Sequence, residues 1–364
     1  MSRPSLPRLL PIVVFASAIA GCAPHVVRPP EPPPMGPFRT TAGEATHPRC
    51  TAPGRQGPGG VGPRCVVSFG RGTTAMTASP DGTQVLIALL DVEPTTWTLP
   101  AVAFGHHFDP IPAEENEEHV GEREGPQALS VGPGGKVALF AVEDRVIRYD
   151  LASGKVLGDF EGPEEKGMVN DVVWSHDGRR LLIANASDGK ARVLDAANGR
   201  LLRTLPVDGR VVQMAFGPDD RQAALGTEVG TVAIVALDAK AAKARVLTPS
   251  TQEITGLGFV GSDLVVAARD GKIRRFVTAT GVLVQQVDTG APITRCAITE
   301  RDGLVGVSDD QNAIRIYTVP GFERRAHYPW HRASITALAW GLGPTLLAAD
   351  NDGELAAWDV PATP

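Results

Sequence analysis

The feature that most constrains this chain is self-similarity at a nearly constant interval. From residue 73 onward, an apolar run, a turn rich in Gly, Pro or Asp and a second apolar run recur about every 42 residues. We align the units on the last residue of the first run, which is Ala78, Val131, Trp174, Phe216, Phe259, Ile298 or Trp340. Two residues before each of these anchor residues the side chain is apolar, which indicates a strand with one packed face.

This period predicts an all-β fold, a seven-bladed β-propeller with four strands in each blade. Pairs such as Asp188-Gly189 and Asp270-Gly271 mark tight turns, because both residue types tolerate a positive φ. The last unit has room for only three strands. We expect residues 65–69, just before the first unit, to supply the fourth strand of that blade and to remove an open sheet edge.

The repeats resemble those of the WD-repeat β-propeller family over residues 73–360. The closest match is the last unit, with His331, Ile335, Asp352-Gly353 and Trp358-Asp359. In the family such a His, Asp and Trp share a buried hydrogen-bonded network with a Ser or Thr of the second strand, and Ala348 stands at that position here. The other units mostly lack the His and the terminal Trp-Asp. A related propeller, such as a quinoprotein-like or lactonase-like type, therefore also fits the pattern.

The N-terminus has the layout of a bacterial export signal. Two arginines precede an apolar stretch at residues 9–21, which is shorter than the roughly 20 residues needed to cross a bilayer. The tetrapeptide Ile19-Ala20-Gly21-Cys22 resembles the lipobox of bacterial lipoproteins. The resemblance implies cleavage before Cys22 and lipid attachment to its sulfur, and hence a membrane anchor. An ordinary signal peptide or a short membrane anchor is the alternative.

We predict three segments: a lipoprotein signal peptide at 1–21, a Pro-rich linker at 22–63 and the propeller at 64–364. Residues 23–63 contain eleven prolines, which favour polyproline II or disorder over a packed core. Cys50 and Cys65 flank a Gly- and Pro-rich stretch, and an exported protein meets an oxidising compartment, so we expect a disulfide between them. Two free thiols are the alternative. Ala23, rather than Asp, follows the lipidation site, which favours an outer-membrane protein that faces the periplasm.

The formal net charge is −6, which argues against nucleic acid as a partner because phosphates require a basic surface. Acids concentrate in the long loop of the first unit, where we predict that Glu114, Glu115, Glu117 and Glu118 contact a basic partner. The second turns of the repeats are also rich in acids, so we expect one acidic face. The loop at 106–124 also contains three histidines and is a candidate cation site, with a solvated acidic loop as the plainer interpretation.

Three residues before the anchors, Asp171, Gln213 and Arg295 replace the small residues of the other units. We predict that they line the central channel and either contact a partner or form a polar network. Cys296 occupies an apolar position of the repeat and is interpreted as a core residue.

The sequence contains no G-x-S-x-G, P-loop or H-E-x-x-H motif. We therefore predict a monomeric, non-catalytic scaffold without cofactor or metal that binds an unidentified protein. A periplasmic propeller enzyme, or a small-ligand or cation binder at the channel mouth, is the alternative.

Overall fold

The computed structural model describes residues 49–53, 62–90, 92–112, 125–161, 168–186, 188–238 and 244–361. These residues belong to one compact unit, His47–Pro364. A second unit, Met1–Thr46, lies outside the described residues, and with it the predicted signal peptide and Cys22. The described residues form strands and turns, and none of them belongs to a helix long and apolar enough to span a membrane.

Seven four-stranded antiparallel sheets make up the fold. Blade 1 consists of β2 (Thr73–Ala78), β3 (Gln84–Leu89), β4 (Val92–Thr98) and β5 (Ala103–His107). Blade 2 consists of β6 (Ala128–Val131), β7 (Val137–Val142), β8 (Arg145–Asp150) and β9 (Val156–Glu161). Blade 3 consists of β10 (Val169–Trp174), β11 (Arg180–Asn185), β12 (Ala191–Asp195) and β13 (Leu201–Leu205).

The remaining blades follow the same order. Blade 4 consists of β14 (Val211–Phe216), β15 (Gln222–Thr227), β16 (Val232–Ala236) and β17 (Ala244–Leu247). Blade 5 consists of β18 (Ile254–Val260), β19 (Asp263–Ala268), β20 (Lys272–Val277) and β21 (Val282–Asp288). Blade 6 consists of β22 (Ile293–Thr299), β23 (Leu304–Asp309), β24 (Ile314–Thr318) and β25 (Arg324–Tyr328). Blade 7 consists of β26 (Ile335–Trp340), β27 (Thr345–Asp350), β28 (Glu354–Asp359) and β1 (Cys65–Ser68).

The blades form a closed ring. The first strand of each blade contacts the first strands of both neighbouring blades, and β2 meets β26 where the ring closes. β1 pairs antiparallel with β28, in a register that sets Cys65 opposite Ala357 and Ser68 opposite Glu354. The N-terminal strand therefore completes the last blade, as the sequence predicts.

A short segment before β1 extends this last blade. Thr51 forms an isolated antiparallel bridge with Val66, and its backbone N–H donates to the Val66 carbonyl at 2.9 Å. A disulfide joins Cys50 to Cys65, whose Cα atoms are 5.5 Å apart. Part of the predicted linker is thus held against the outer edge of blade 7.

The second strand of each sheet is buried on both faces between neighbouring blades, which explains its apolar character. In β7, Phe140 packs towards blade 1 with Leu86, whereas Leu139 packs towards blade 3 with Ile183. The rings of Phe140 and Tyr149 are in contact, with centroids 4.4 Å apart and planes tilted by 31°, and both side chains are fully buried. A strand buried on both faces needs a continuous apolar run rather than strict alternation.

Turns of the same kind share one face of the ring. The first-turn face carries the turns between first and second strands, at 79–83, 132–136, 175–179, 217–221, 261–262, 300–303 and 341–344. The second-turn face carries the turns between second and third strands. Neighbouring blades approach closely at both: a Cβ on Gly82 would lie 2.8 Å from the Gly341 carbonyl carbon, and one on Gly271 would lie 2.7 Å from the Ala291 oxygen.

Candidate functional site

The acidic loop of the first unit lies outside the described residues. Glu114, Glu115, Glu117 and Glu118 fall within the undescribed segment 113–124. His106 is described on β5, and its Nδ1 lies 3.1 Å from the Thr96 hydroxyl. Burial lowers the pKa of His106, although the nearby Asp150 opposes this shift. Among the residues that the structure describes, no group of three or more His, Cys, Asp or Glu is arranged to hold a metal ion.

Asp171, Gln213 and Arg295 occupy equivalent positions on β10, β14 and β22. These are the first strands of their blades, and they contact the first strands of the neighbouring blades. The Arg295 Nε donates to the carbonyl oxygen of Thr336 in the next blade at 2.7 Å. The Asp171 carboxylate accepts the backbone N–H of Met214 in the next blade, while burial raises its pKa to about 7. Asp171 and Arg295 therefore join neighbouring blades, which matches a polar network and does not require a ligand.

The second-turn face is less acidic than the sequence suggests. The carboxylates of Asp188, Asp270 and Asp309 each form an ion pair with an arginine on the third strand of the same blade, namely Arg192, Arg274 and Arg315. Arg192 and Arg274 are themselves buried. The expectation of a broadly acidic face is wrong for these turns, because each of the three carboxylates has its own cation. The sequence carries a signal of this pairing: an Arg follows the turn Asp by four to six residues.

The last blade contains a buried polar cluster of His331, Asp350 and Trp358. The His331 Nδ1 lies 2.7 Å from the Asp350 carboxylate, and both side chains are almost fully buried. Asp350, rather than the predicted Asp352, is the partner of His331, because Asp350 ends β27 and also accepts the backbone N–H groups of Asp352 and Glu354. The buried His331 Nε2 and Trp358 Nε1 have no hydrogen-bond partner among the described residues. Ala348 supplies no hydroxyl where the WD-repeat family has Ser or Thr.

Two cavities open at the inner rim of the first-turn face. The larger has a volume of about 630 Å³ and lies among blades 1, 6 and 7. Its apolar lining includes Met76, Ile298, Leu338 and Trp340. The Trp340 Nε1 donates to the Ala297 carbonyl at 3.0 Å, which fixes the indole against the neighbouring blade.

Cys296 also lines the larger cavity. Burial raises the pKa of its thiol to about 12. A thiol with so high a pKa is a poor nucleophile at neutral pH. Cys296 is half-buried and packs against the core cluster shared by blades 5 and 6, rather than lying within it.

The smaller cavity has a volume of about 180 Å³ and lies among blades 3, 4, 5 and 6. Three anchor residues, Trp174, Phe216 and Phe259, give it an aromatic lining, to which His176 adds a polar edge. The His176 Nδ1 lies 2.7 Å from the Asp220 carboxylate, and the His176 backbone N–H donates to the same oxygen at 2.9 Å. Six of the seven anchor residues of the repeat, all except Val131, therefore line one of the two cavities.

Glu300 lines both cavities. Its side chain is exposed, and one carboxylate oxygen accepts the Gly261 backbone N–H at 3.1 Å. The neighbouring Arg301 donates instead to the Gly341 carbonyl at 2.7 Å, and its Nε lies 3.3 Å from Asp302. No ion pair of Glu300 occurs within the part of the chain that the structure describes. Nothing in the sequence marks Glu300, which lies in an ordinary turn between β22 and β23.

Long polar side chains also connect the outer parts of successive blades. Arg148, Arg203 and Arg245 each donate to a carbonyl in the third turn of the next blade, at Ala197, Leu237 and Thr278 respectively. Gln285 donates in the same way to Gly321 at 2.8 Å. These contacts cannot be predicted from the repeat spacing, because each one joins residues more than thirty positions apart in the sequence.

The fold defines this chain as a seven-bladed β-propeller. Residues 136–219, which are less than half of the 364-residue chain, match the WD40 domain of anaphase-promoting complex subunit 4. The chain is also similar to telomerase protein component 1 of Rattus norvegicus, with 24% identity over 253 residues. That match covers 65% of this chain but only 9% of the rat protein.

Proposed function

We propose that this protein is a lipid-anchored, non-catalytic scaffold of the bacterial cell envelope that binds a protein partner through its propeller. Cys22 would carry the lipid, the Pro-rich segment would separate the propeller from the membrane, and the outer membrane facing the periplasm is the proposed location. The names of the two similar proteins, a complex subunit and a protein component, support a role in an assembly.

The observation that carries the proposal is the closed ring with open depressions at its channel mouth. Seven blades joined by buried seams and inter-blade hydrogen bonds form a rigid platform. Large apolar anchors, among them Trp174, Phe259 and Trp340, line the mouth rather than filling it completely. Partner proteins commonly bury aromatic and aliphatic side chains in such depressions.

Anchoring is tested with the variant Cys22→Ala. We expect wild-type protein to incorporate an alkynyl fatty acid and to sediment with membranes, and the variant to do neither. A Cys296→Ala variant is the matched control, because it removes a cysteine that the proposal leaves unlipidated. Membrane association and fatty-acid labelling of Cys22→Ala at wild-type levels would rule out the anchor.

Partner binding is tested by photo-crosslinking in intact cells. A photoreactive residue replaces Leu342 on the first-turn face, where the side chain is 42% exposed, and a second variant carries it at Leu157 on the outer rim. We expect one discrete crosslinked protein from the first position. Crosslinks that are absent, or identical at both positions, would contradict a specific partner at the channel mouth.

The larger cavity favours a second candidate function, the binding of a small ligand. Its volume of about 630 Å³ falls within the range of about 300–1,000 Å³ that is usual for ligand sites. Binding of a small ligand raises the melting temperature, so a thermal-shift screen of periplasmic metabolites tests this function. The loop at 106–124 is tested in the same assay with Ca²⁺, Zn²⁺ and a chelator, and an unchanged melting temperature ends the cation hypothesis.

A further inference from the structure

Glu300 is the residue that lines both cavities of the first-turn face, and its side chain is exposed. A group that occupies the smaller cavity therefore has this negative charge at its boundary. The hydrogen bond from the Gly261 N–H to the Glu300 carboxylate, at 3.1 Å, holds the charge in this position.

The positive charges near Glu300 are already occupied. Arg301 donates to the Gly341 carbonyl and lies beside Asp302. Arg180 donates to the Asp220 carbonyl at 2.6 Å and lies over the Phe216 ring, 5.8 Å from its centroid. Both guanidinium groups are thus held by backbone carbonyls, which leaves the Glu300 carboxylate available to a cation from another molecule.

The smaller cavity has the size and chemistry for one amphipathic side chain. Its volume of about 180 Å³ is below the range of about 300–1,000 Å³ that accommodates whole small ligands. Trp174, Phe216 and Phe259 line the cavity, and the half-buried Trp174 is the most accessible of the three rings. Aromatic rings pack against aliphatic stems and also attract cations. Lysine and arginine combine an aliphatic stem with a cationic head, and both bury the stem while the head remains at a polar boundary.

We propose that Glu300 and the aromatic cavity bind a lysine or arginine side chain of the protein partner. The stem lies against Phe259 and Trp174, and the ammonium or guanidinium group pairs with the Glu300 carboxylate. This inference rests on the proposed scaffold function and specifies the chemistry of its partner. It keeps the expectation of a basic partner but moves the contact from the second-turn face to the first-turn face.

In the experiment, the purified protein is titrated with blocked amino acids that stand for a single side chain of the partner. The test therefore does not require that the partner is known. Nα-acetyl-lysine methylamide and its arginine counterpart are the cationic probes, and Nα-acetyl-norleucine methylamide is the neutral probe of similar shape. Binding is followed by the NMR shift of the Trp174 indole N–H, which a Trp174→Phe variant assigns. We expect one cationic probe to bind at least about fivefold more tightly than the norleucine probe.

Two variants test the assignment to Glu300. Glu300→Gln keeps the size of the side chain and should lower the affinity for the cationic probe about fivefold, to the level of the norleucine probe. Glu228→Gln is the matched control, because Glu228 pairs with Arg210 at 2.9 Å on the second-turn face, and it should change nothing. Equal binding of charged and neutral probes, or unchanged binding in Glu300→Gln, would overturn the inference.

The outcomes separate this inference from the scaffold function. If the probes do not bind but a discrete partner is crosslinked from position 342, the scaffold function is supported and the binding of a basic side chain is ruled out. Probe binding without any crosslinked partner would support the site and count against the scaffold.

Discussion

At the scale of single residues, the buried cluster around His331 shows how one missing hydroxyl leaves two polar atoms unsatisfied. The His331 Nε2 and the Trp358 Nε1 are buried without partners, and Ala348 is fully buried in the same hydrophobic cluster as Trp358. A buried polar group that lacks a partner costs about 1–3 kcal/mol. The cluster is therefore less stable than its geometry allows.

The variant Ala348→Ser should stabilise the protein, because a hydroxyl there can bond both orphaned nitrogens. We expect the free energy of unfolding to rise by about 1 kcal/mol, as measured by urea denaturation. Ala349→Ser is the control, since Ala349 is also fully buried but belongs to the cluster shared with blade 1. Ala349→Ser should lower the free energy of unfolding. If neither variant raises the free energy of unfolding, or if both raise it equally, this explanation is contradicted.

The raised pKa of Asp171 should make the free energy of unfolding depend on pH. Burial raises its pKa in the folded protein to about 7, whereas an unfolded Asp titrates near its usual value of about 3.9. Between these values the folded state binds more protons, so the contribution of Asp171 to stability is present at low pH and is lost as the pH rises towards 7 and above.

The variant Asp171→Asn removes this pH dependence and retains an acceptor for the Met214 N–H. Relative to wild type, its free energy of unfolding should therefore increase between pH 4.5 and pH 8, by on the order of 2 kcal/mol. Urea denaturation at both pH values measures the difference. A constant difference between the two proteins across this range would show that Asp171 does not titrate there.

At the scale of strands and turns, the disulfide ties a short segment to the strand that closes the ring. Cys50 is fifteen residues from Cys65, and a crosslink over such a loop contributes roughly 3 kcal/mol in the chain-entropy model. The double variant Cys50→Ser/Cys65→Ser should lose stability of this order in thermal and urea unfolding. Dithiothreitol should destabilise the wild type to the same level and leave the variant unchanged. Equal stability of the oxidised wild type and the variant would contradict this role.

β21 is an outer strand with little charge to protect its edge. β9, β13 and β17 carry a charged residue at an inner position, namely Asp159, Arg203 and Arg245, whereas the charge of β21 comes at its last residue, Asp288. Val282, Leu283 and Val284 are exposed by 55%, 44% and 44%. Exposed apolar edges favour pairing with other chains.

The variant Leu283→Lys should reduce self-association at high concentration without altering the fold. A substitution at so exposed a site changes stability by less than about 0.5 kcal/mol. Light scattering of concentrated samples measures the effect, and Leu90→Lys, at an exposed turn, is the control for added charge alone. An equal reduction by both variants would show that net charge, and not the β21 edge, limits association.

The sequence predicts the strands better than it predicts the side-chain contacts. The repeat and the turn residues identify the blades and the closing strand, because these depend on local patterns. The closing strand predicted within residues 65–69 is observed at Cys65–Ser68. The sequence indicates Asp352 rather than Asp350 as the partner of His331, because the pair Asp352-Gly353 is the stronger turn signal. Glu300 could not be found, since its importance comes from two cavities formed by residues of six different blades.

At the scale of the whole molecule, the ring depends on a strand that is distant in sequence from the blade it completes. Buried seams make every blade depend on both neighbours, so an open seventh blade would expose the apolar core shared by β28 and β1. Channel mouth, cavities and Glu300 keep their geometry only if this closure holds. The proposed function therefore depends on the pairing of β1 with β28.

The most direct test of this closure is a pair of engineered cysteines at facing positions, Ser68→Cys with Glu354→Cys. Their Cα atoms are paired across β1 and β28, so we predict that a disulfide forms in the native protein and that peptide mapping by mass spectrometry detects it. Ser68→Cys with Lys272→Cys is the control, because Lys272 holds the equivalent position in blade 5, and no crosslink should form. A free thiol at position 68 in the first pair, or equal crosslinking in both pairs, would contradict the seven-bladed ring closed by its N-terminal strand.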